Sequence, residues 1–195
     1  MPGRPLPRLK LVLREISSQR SDQRLKIVSQ PNGGLSAARN TGIRESRGRF
    51  IGFLDGDDIW MPDKVDRQMA ILLSRPQVGL TFSHSLYLDE AGRPTGRTLA
   101  EQRLRPALAD MVRRNHFGNG STVIARRECF EQAGFFDEDL HSCEDYEMWC
   151  RILALTSLDF LGLGVPASVP SLGELLQRKP TQLSGGQRQR VAIGR

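Results

Sequence analysis

Residues 50–60, Phe-Ile-Gly-Phe-Leu-Asp-Gly-Asp-Asp-Ile-Trp, form a short apolar run that ends in three carboxylates, Asp55, Asp57 and Asp58. An apolar run of this length, bounded by polar residues, is typical of a buried strand in a parallel sheet. Open α/β sheets bind ligands just beyond the carboxyl ends of their strands. The run therefore predicts an α/β fold whose acids lie where ligands bind.

The three acids allow two interpretations. Asp55 and Asp57 flank a glycine, so both carboxylates can turn toward one hard divalent cation that also holds phosphate oxygens. Asp and Gly are also favoured in turns, and a turn needs no ligand. Clustered like charge costs stability unless a cation offsets it, which favours the metal. Both interpretations remain open on the local sequence alone.

The composition restricts the class of protein and its partners. A chain of 195 residues with 38% apolar and 26% charged residues is typical of one soluble globular domain. The net charge of +6 favours anionic partners such as nucleotide diphosphates or phospholipid headgroups. The basic ends carry no aromatic platform or recognition helix, so we expect no nucleic-acid partner.

Cysteine usage and hydropathy bear on localisation. Cys129, Cys143 and Cys150 form no CxxC pair, which predicts reduced and buried thiols in a cytoplasmic protein. No stretch approaches the roughly 20 apolar residues that cross a bilayer. We therefore expect no transmembrane segment, and any membrane contact would be peripheral.

Helices and strands are predicted to alternate along the chain. Predicted helices cover residues 9–18, 35–46, 65–73, 127–133 and 146–153, and predicted strands cover residues 25–29, 50–54, 78–88 and 121–126. Residues 91–117 are expected to form a helix-containing surface segment or a mobile loop. Asp145 falls near the start of the last helix, where exposed amides and the helix dipole favour any carboxylate, so the local sequence alone favours an ordinary helix-start acid over a functional role.

Several segments occur together in one order. Residues 30–43 read QPNGGLSAARNTGI and precede the acidic run, and residues 78–83, 120–127, 134–138 and 144–149 read VGLTFS, GSTVIARR, GFFDE and EDYEMW. Together they resemble the family 2 glycosyltransferases over about residues 9–153. The resemblance implies a GT-A-like (Rossmann-like) mixed sheet flanked by helices.

The resemblance also implies a function and a role for each site residue. The family transfers a sugar from a nucleotide-diphosphate sugar to an acceptor hydroxyl, here a glycan or lipid-linked acceptor, with inversion. Asp55-Gly56-Asp57 would be the DxD motif, with Asp57 binding Mg²⁺ or Mn²⁺ and Asp55 facing the ribose or the metal. Arg39 would help to bind the donor nucleotide. The alternative interpretation of Arg39 is a solvated arginine on the surface of a helix. Asp145 would be the general base for the acceptor hydroxyl.

The two ends of the chain depart from this pattern. Family members open with a strand, a helix and a second strand that ends in an acidic motif, so we expect residues 1–153 to be a glycosyltransferase-like part truncated at its N-terminus. Residues 158–173 resemble ABC transporter permeases, and residues 178–195, with Ser184-Gly185-Gly186, resemble the signature region of ABC transporter ATPases. We expect residues 154–195 to be an irregular or helical tail of a chimera, at the inner face of the membrane if the chain contacts it.

This tail leaves two alternatives to the glycosyltransferase interpretation. The chain would be an ATP-binding fragment of an ABC transporter, or a nonfunctional chimeric product. Ser184 and the two glycines that follow would present a hydroxyl and backbone amides to phosphate at a helix start. The sequence has no GxxxxGK[ST] phosphate loop, which counts against a complete ATP site.

Overall fold

The structure is a computed structural model that describes residues 26–56, 58–89, 93–98, 105–156 and 159–163. The chain forms two units, Met1–Pro31 and Asn32–Arg195. The predicted helix at 9–18 and the ABC-like segment around Ser184 lie outside the described residues. In the first unit, residues 26–31 have no regular secondary structure, although a strand was predicted at 25–29. β-branched residues favour a strand, but an extended segment becomes one only by pairing with a neighbour.

The described part of the second unit alternates helices and strands, as predicted. Its elements are α1 (Gly34–Glu45), β1 (Phe50–Gly52), α2 (Lys64–Ser74), β2 (Val78–Ser83), β3 (Leu86–Leu88), β4 (Pro94–Thr98), α3 (Leu108–Arg113), β5 (Val123–Arg126), α4 (Arg127–Ala133), α5 (Glu144–Leu155) and β6 (Asp159–Leu163). A 3-10 turn at Gly120–Thr122 leads into β5. Gly134 ends α4 with a φ of 84°, a conformation that favours glycine.

The main sheet has the strand order β1-β5-β2-β6. Strand β5 is antiparallel to both β1 and β2, whereas β6 is parallel to β2. Because β1 and β2 both run opposite to β5, their carboxyl ends lie at the same edge as the amino end of β5. The acidic loop after β1 is thereby placed beside the turn that precedes β5.

Successive side chains of β5 face two separate apolar clusters. Val123 and Ala125 belong to a large core with Phe53, Phe130 and Trp149, from the end of β1, α4 and α5. Ile124 points to the opposite face, where it packs with Leu72 and Val78. Helices therefore cover both faces of the sheet, which is the arrangement expected of an α/β fold.

Residues 78–117 differ from the sequence-based expectation in two ways. The predicted strand at 78–88 divides into β2 and β3, and β3 pairs with β4 in a separate two-stranded sheet. The expected surface segment also supplies Met111 and Phe117 to the core, both fully buried. Arginines are scattered through this segment, and its few core positions leave no periodic pattern.

Residues 159–163 were expected in an irregular or helical tail but form β6, paired with β2. Their sequence, Asp-Phe-Leu-Gly-Leu, is apolar enough for a strand beside a buried neighbour. The proposed boundary at residue 153 remains a prediction. Of the three cysteines, Cys129 is buried as expected, Cys150 is half-buried and Cys143 is exposed.

Candidate active site

Helix α1 buries a polar face. Four residues of this helix are no more than 3% exposed: Ser36, Arg39, Asn40 and Ile43. Their spacing of three and four residues places them on one side of the helix. A helix normally turns its apolar side inward. Burial of an arginine and an asparagine therefore requires partners elsewhere in the fold.

Arg39 binds two carboxylates that come from distant parts of the sequence. Its Nη1 donates to Oε1 of Glu144 at 2.8 Å, and its Nη2 lies 3.3 Å from both carboxylate oxygens of Asp55. Arg39 is 3% exposed, whereas the side chains of Asp55 and Glu144 are 25% and 12% exposed. Arg39 is therefore a buried cation that joins the acidic loop after β1 to the start of α5.

The surroundings of Arg39 fix the position of its guanidinium group. The rings of Phe53 and Phe136 lie 6.0 Å and 5.4 Å from its Cζ, measured to the ring centroids. Gly120 lies against its other side, because a Cβ at that position would be 2.8 Å from Nη2. A larger residue at position 120 would displace the guanidinium group from the two carboxylates.

Asn40 attaches the loop between α4 and α5 to α1. Its Nδ2 donates to the Phe136 carbonyl oxygen and to Oε1 of Glu138, and its Oδ1 accepts the Phe136 N–H, all at 2.8 Å. These bonds satisfy both polar ends of a side chain that is 1% exposed. Arg39 thus attaches the first residue of α5 to α1, and Asn40 attaches the loop that precedes α5 to the same helix.

The acidic loop is attached to the turn that precedes β5. The Asp55 N–H donates to Oγ of Ser121 at 2.9 Å, and Trp60 Nε1 donates to the Ser121 carbonyl oxygen at 2.8 Å. Asn119 Nδ2 donates to Oδ2 of Asp58 at 2.6 Å. Asp57, the predicted metal ligand, lies outside the described residues. Its neighbours on both sides are thus fixed by residues 119–121.

Asp145 is the second residue of α5, as expected. Together with Arg39, Asp55 and Glu144, whose charges act on it, Asp145 forms a charged cluster. Burial raises the pKa of its carboxyl group above the ordinary value of 3.8, and the nearby charges of Glu144 and Asp55 add to this effect. The Arg39 guanidinium and the Tyr146 N–H, which donates to Asp145 Oδ1 at 2.6 Å, act in the opposite direction. Asp145 is therefore a partly buried carboxyl group with a raised proton affinity.

The predicted cation site is only partly covered by the described residues, because Asp57 lies outside them. No group of three or more ligating side chains is found among them, and both oxygens of Asp55 face Arg39. The Mg²⁺ or Mn²⁺ site at Asp55 and Asp57 remains a prediction.

The structure brings three of the four predicted site residues together: Arg39, Asp55 and Asp145. Their roles remain predictions. Arg39 is not the solvated helix arginine that was the alternative. Sequence reasoning missed Glu144 as the second partner of Arg39, and Ser121 and Asn119 as supports of the acidic loop. Glu144 directly precedes Asp145 in the quoted EDYEMW segment, but nothing local signals its partner 105 residues away.

Comparison with known proteins gives the family of this chain. The sequence model described as glycosyl transferase family 2 matches residues 7–133. The chain belongs to glycosyltransferase family 2. It is 32% identical over 133 residues to an uncharacterized glycosyltransferase, EpsJ, of Bacillus subtilis, covering 64% of this chain and 38% of EpsJ.

Two further family members are similar to this chain over comparable lengths. An uncharacterized glycosyltransferase of Rickettsia prowazekii is 27% identical over 139 residues, covering 66% of this chain and 42% of the relative. The Escherichia coli UDP-Glc:alpha-D-GlcNAc-diphosphoundecaprenol beta-1,3-glucosyltransferase WfgD is 28% identical over 146 residues, covering 74% and 54%. The chain thus spans about half the length of these relatives.

The fold is that of a solved GT-A structure. The crystal structure of Staphylococcus aureus TarS 1-349 matches 80% of this chain and 46% of that chain with a TM-score of 0.57 at 16% identity. The predicted mixed α/β sheet flanked by helices is therefore confirmed. Within the described ranges, no helix combines the length and the apolar character needed to cross a membrane.

Proposed function

We propose that this chain is the sugar-transferring part of a glycosyltransferase that uses a nucleotide-diphosphate sugar and an acceptor hydroxyl. The observation that carries the proposal is the charged cluster at the edge of the sheet, where Arg39 binds Asp55 and Glu144 beside Asp145. α/β folds bind ligands at such an edge. Family membership supports the same reaction.

In the proposed reaction, Asp145 acts as the general base. Its carboxylate accepts the proton of the acceptor hydroxyl while the hydroxyl oxygen forms a bond to the anomeric carbon. The bond between that carbon and the diphosphate oxygen breaks, and the nucleoside diphosphate leaves with the electron pair. A single displacement inverts the configuration at the anomeric carbon. The raised pKa of Asp145 makes it a stronger base than an ordinary aspartate.

On the donor side, we propose that Arg39 acts through Asp55. The guanidinium group is almost fully buried and bound to two carboxylates, whereas the Asp55 side chain is 25% exposed. Arg39 would then hold Asp55 toward the ribose or the cation. We further propose that Asp57 and Asp55 bind Mg²⁺ or Mn²⁺, which would stabilise negative charge on the departing diphosphate.

The acceptor class follows from the relatives only in outline. The name of WfgD includes a lipid-linked sugar, alpha-D-GlcNAc-diphosphoundecaprenol, as the acceptor. A glycan or lipid-linked acceptor is proposed for this chain, which would bring it to the cytoplasmic face of a membrane as a peripheral protein.

The test separates donor binding from transfer. Calorimetry with UDP, GDP and their sugars, with and without Mn²⁺, should detect cation-dependent binding by the wild-type chain. Asp57→Ala should abolish that dependence, and Asp145→Asn should keep donor binding while losing release of nucleoside diphosphate in the presence of acceptor. Asp139→Asn, at an exposed acid of the neighbouring loop, is the matched control and should behave as wild type. Turnover at the wild-type rate by Asp145→Asn would refute the base assignment.

A further inference from the structure

Lys64 is a buried lysine at the start of α2. It is 9% exposed, and its ammonium group bonds only to uncharged partners among the described residues. Nζ donates to Oε1 of Gln68 and to the Thr122 carbonyl oxygen, the latter at 3.2 Å. Nζ also lies 4.4 Å from the centroid of the Trp60 ring, within cation–π distance. A lysine without a carboxylate partner is costly in the protein interior.

The partners of Lys64 belong to the two segments that support the candidate active site. Trp60 ends the acidic loop, and Thr122 ends the turn before β5. Between them lies Ser121, whose carbonyl oxygen accepts the Trp60 N–H and whose Oγ accepts the Asp55 N–H. The Lys64 ammonium group therefore contacts Trp60 in the acidic loop and Thr122 in the turn before β5, and these two segments together position Asp55.

The hydrogen bonds of Gln68 require a hydrogen-bond donor at position 64. It is fully buried, and its Nε2 donates to the Thr122 carbonyl oxygen at 3.1 Å and to Oγ1 of Thr81 at 3.3 Å. Its Oε1 then remains for Lys64. The three N–H groups of a protonated lysine are matched by two oxygen acceptors and the face of an indole ring.

We propose that Lys64 is a positioning residue for the donor site: its ammonium group fixes Trp60 against the Ser121–Thr122 turn and so holds Asp55 in place. The inference rests on the proposed function. A hydrocarbon side chain of similar length would fill the same space at no electrostatic cost. A buried cation between the acidic loop and the turn before β5, where an apolar residue would also fit, favours a role other than stability.

Protonation of Lys64 gives the inference a measurable signature. Burial alone lowers the pKa of Lys64 from 10.5 to about 7, so the cation–π contact is lost as pH rises through neutrality. Among the described residues, other titratable groups on the elements around Lys64 include Asp55 and Asp58 in the loop, Asp63 and Asp66 near the start of α2, and His84 after β2. Burial lowers the pKa of His84 from 6.5, and any titration of that histidine persists when Lys64 is replaced.

The experiment compares the wild-type full chain with Lys64→Met and with a matched control, Lys26→Met, at an exposed lysine. Tryptophan fluorescence is recorded from pH 5.5 to 9. The wild type and the control should show a transition near pH 7 that Lys64→Met lacks, because Trp60 loses its neighbouring charge. Persistence of the transition in Lys64→Met would overturn the coupling of Lys64 to Trp60.

Nucleotide binding and thermal unfolding form the second arm. At pH 6, Lys64→Met should bind UDP with Mn²⁺ about tenfold more weakly than wild type, the effect of one cation–π contact, while its Tm stays equal or rises. Equal affinities, or a lower Tm together with the weaker binding, would overturn the positioning role. If the wild type binds no nucleotide, the proposed function fails, and the fluorescence arm still decides whether Lys64 controls Trp60.

Discussion

Replacement of Arg39 by glutamine tests the centre of the candidate site. The substitution removes the cation that pairs with Glu144 at 2.8 Å and with Asp55 at 3.3 Å, at a position that is 3% exposed. Removal of one partner from a buried ion pair costs about 3–5 kcal/mol, because the remaining charge stays buried and unpaired. For a chain of this size, each kcal/mol lowers Tm by about 2–4 °C. We therefore expect Arg39→Gln to lower Tm by about 6–20 °C.

The assay is thermal unfolding for Tm and urea unfolding for the free energy, both followed by circular dichroism, with Arg67→Gln as the matched control. Arg67 forms an exposed pair with Asp63 at 3.8 Å, and loss of such a pair costs at most about 1 kcal/mol. A double-mutant cycle of Arg39→Gln with Glu144→Gln should give a coupling energy of about 0.5–3 kcal/mol. A loss below about 1 kcal/mol for Arg39→Gln, or a coupling of zero, would refute the reasoning.

Two further substitutions probe the same cluster. Because burial raises the pKa of Asp145, its folded state binds a proton more tightly than the unfolded state, and stability falls as pH rises from 3.8 through the raised value. Asp145→Asn should remove this decline in pH-dependent thermal unfolding and should be at least as stable as wild type at pH 7; lower stability there would contradict the assignment of a raised pKa. Gly120→Ala places a Cβ 2.8 Å from Arg39 Nη2, so it should cost about 1–3 kcal/mol in urea unfolding. That cost should largely disappear in the Arg39→Gln background, and equal costs in both backgrounds would show that the contact with Arg39 is not its cause.

The sequence predicted those features of the fold that depend on local pattern. The alternation of helices and strands from residue 34 to 155 follows from apolar spacing and from glycines at the breaks. The apolar run at 50–54 correctly placed Asp55 just beyond a buried strand, at the edge of a mixed sheet. Prediction failed where pairing decides the outcome, as in the division of 78–88 into two strands and in β6 at 159–163, because each depends on a partner strand elsewhere.

The candidate site shows the same division between local and distant information. The type and order of the residues identified Arg39, Asp55 and Asp145, but the burial of Arg39 depends on Asp55 and Glu144, 16 and 105 residues away. Lys64 gave no signal, because a lysine at the start of an amphipathic helix is expected to be exposed. Its environment arises only when α2 packs over the turn before β5.

The shifted pKa values of Asp145 and Lys64 change stability with pH in opposite senses. The stabilising contribution of the protonated Asp145 carboxyl group is lost as pH rises through its raised pKa. The pKa of Lys64 is lowered to about 7, so the unfolded state holds a proton that the folded state lacks between about pH 7 and 10.5. By linkage, stability rises with pH across that second range.

The protonation state that the proposed reaction needs is therefore the least stable one for these two groups. Transfer requires an ionised Asp145, whose pKa burial raises, and, by the positioning role, a protonated Lys64, whose pKa burial lowers to about 7. Burial opposes each of these charges. The double variant Asp145→Asn/Lys64→Met should accordingly gain more stability relative to wild type at pH 6, where Lys64 is protonated, than at pH 10, where it is neutral. A gain that is the same at pH 6 and at pH 10 would show that the buried Lys64 charge does not contribute to it, because Lys64 is the group that loses its charge between these two pH values.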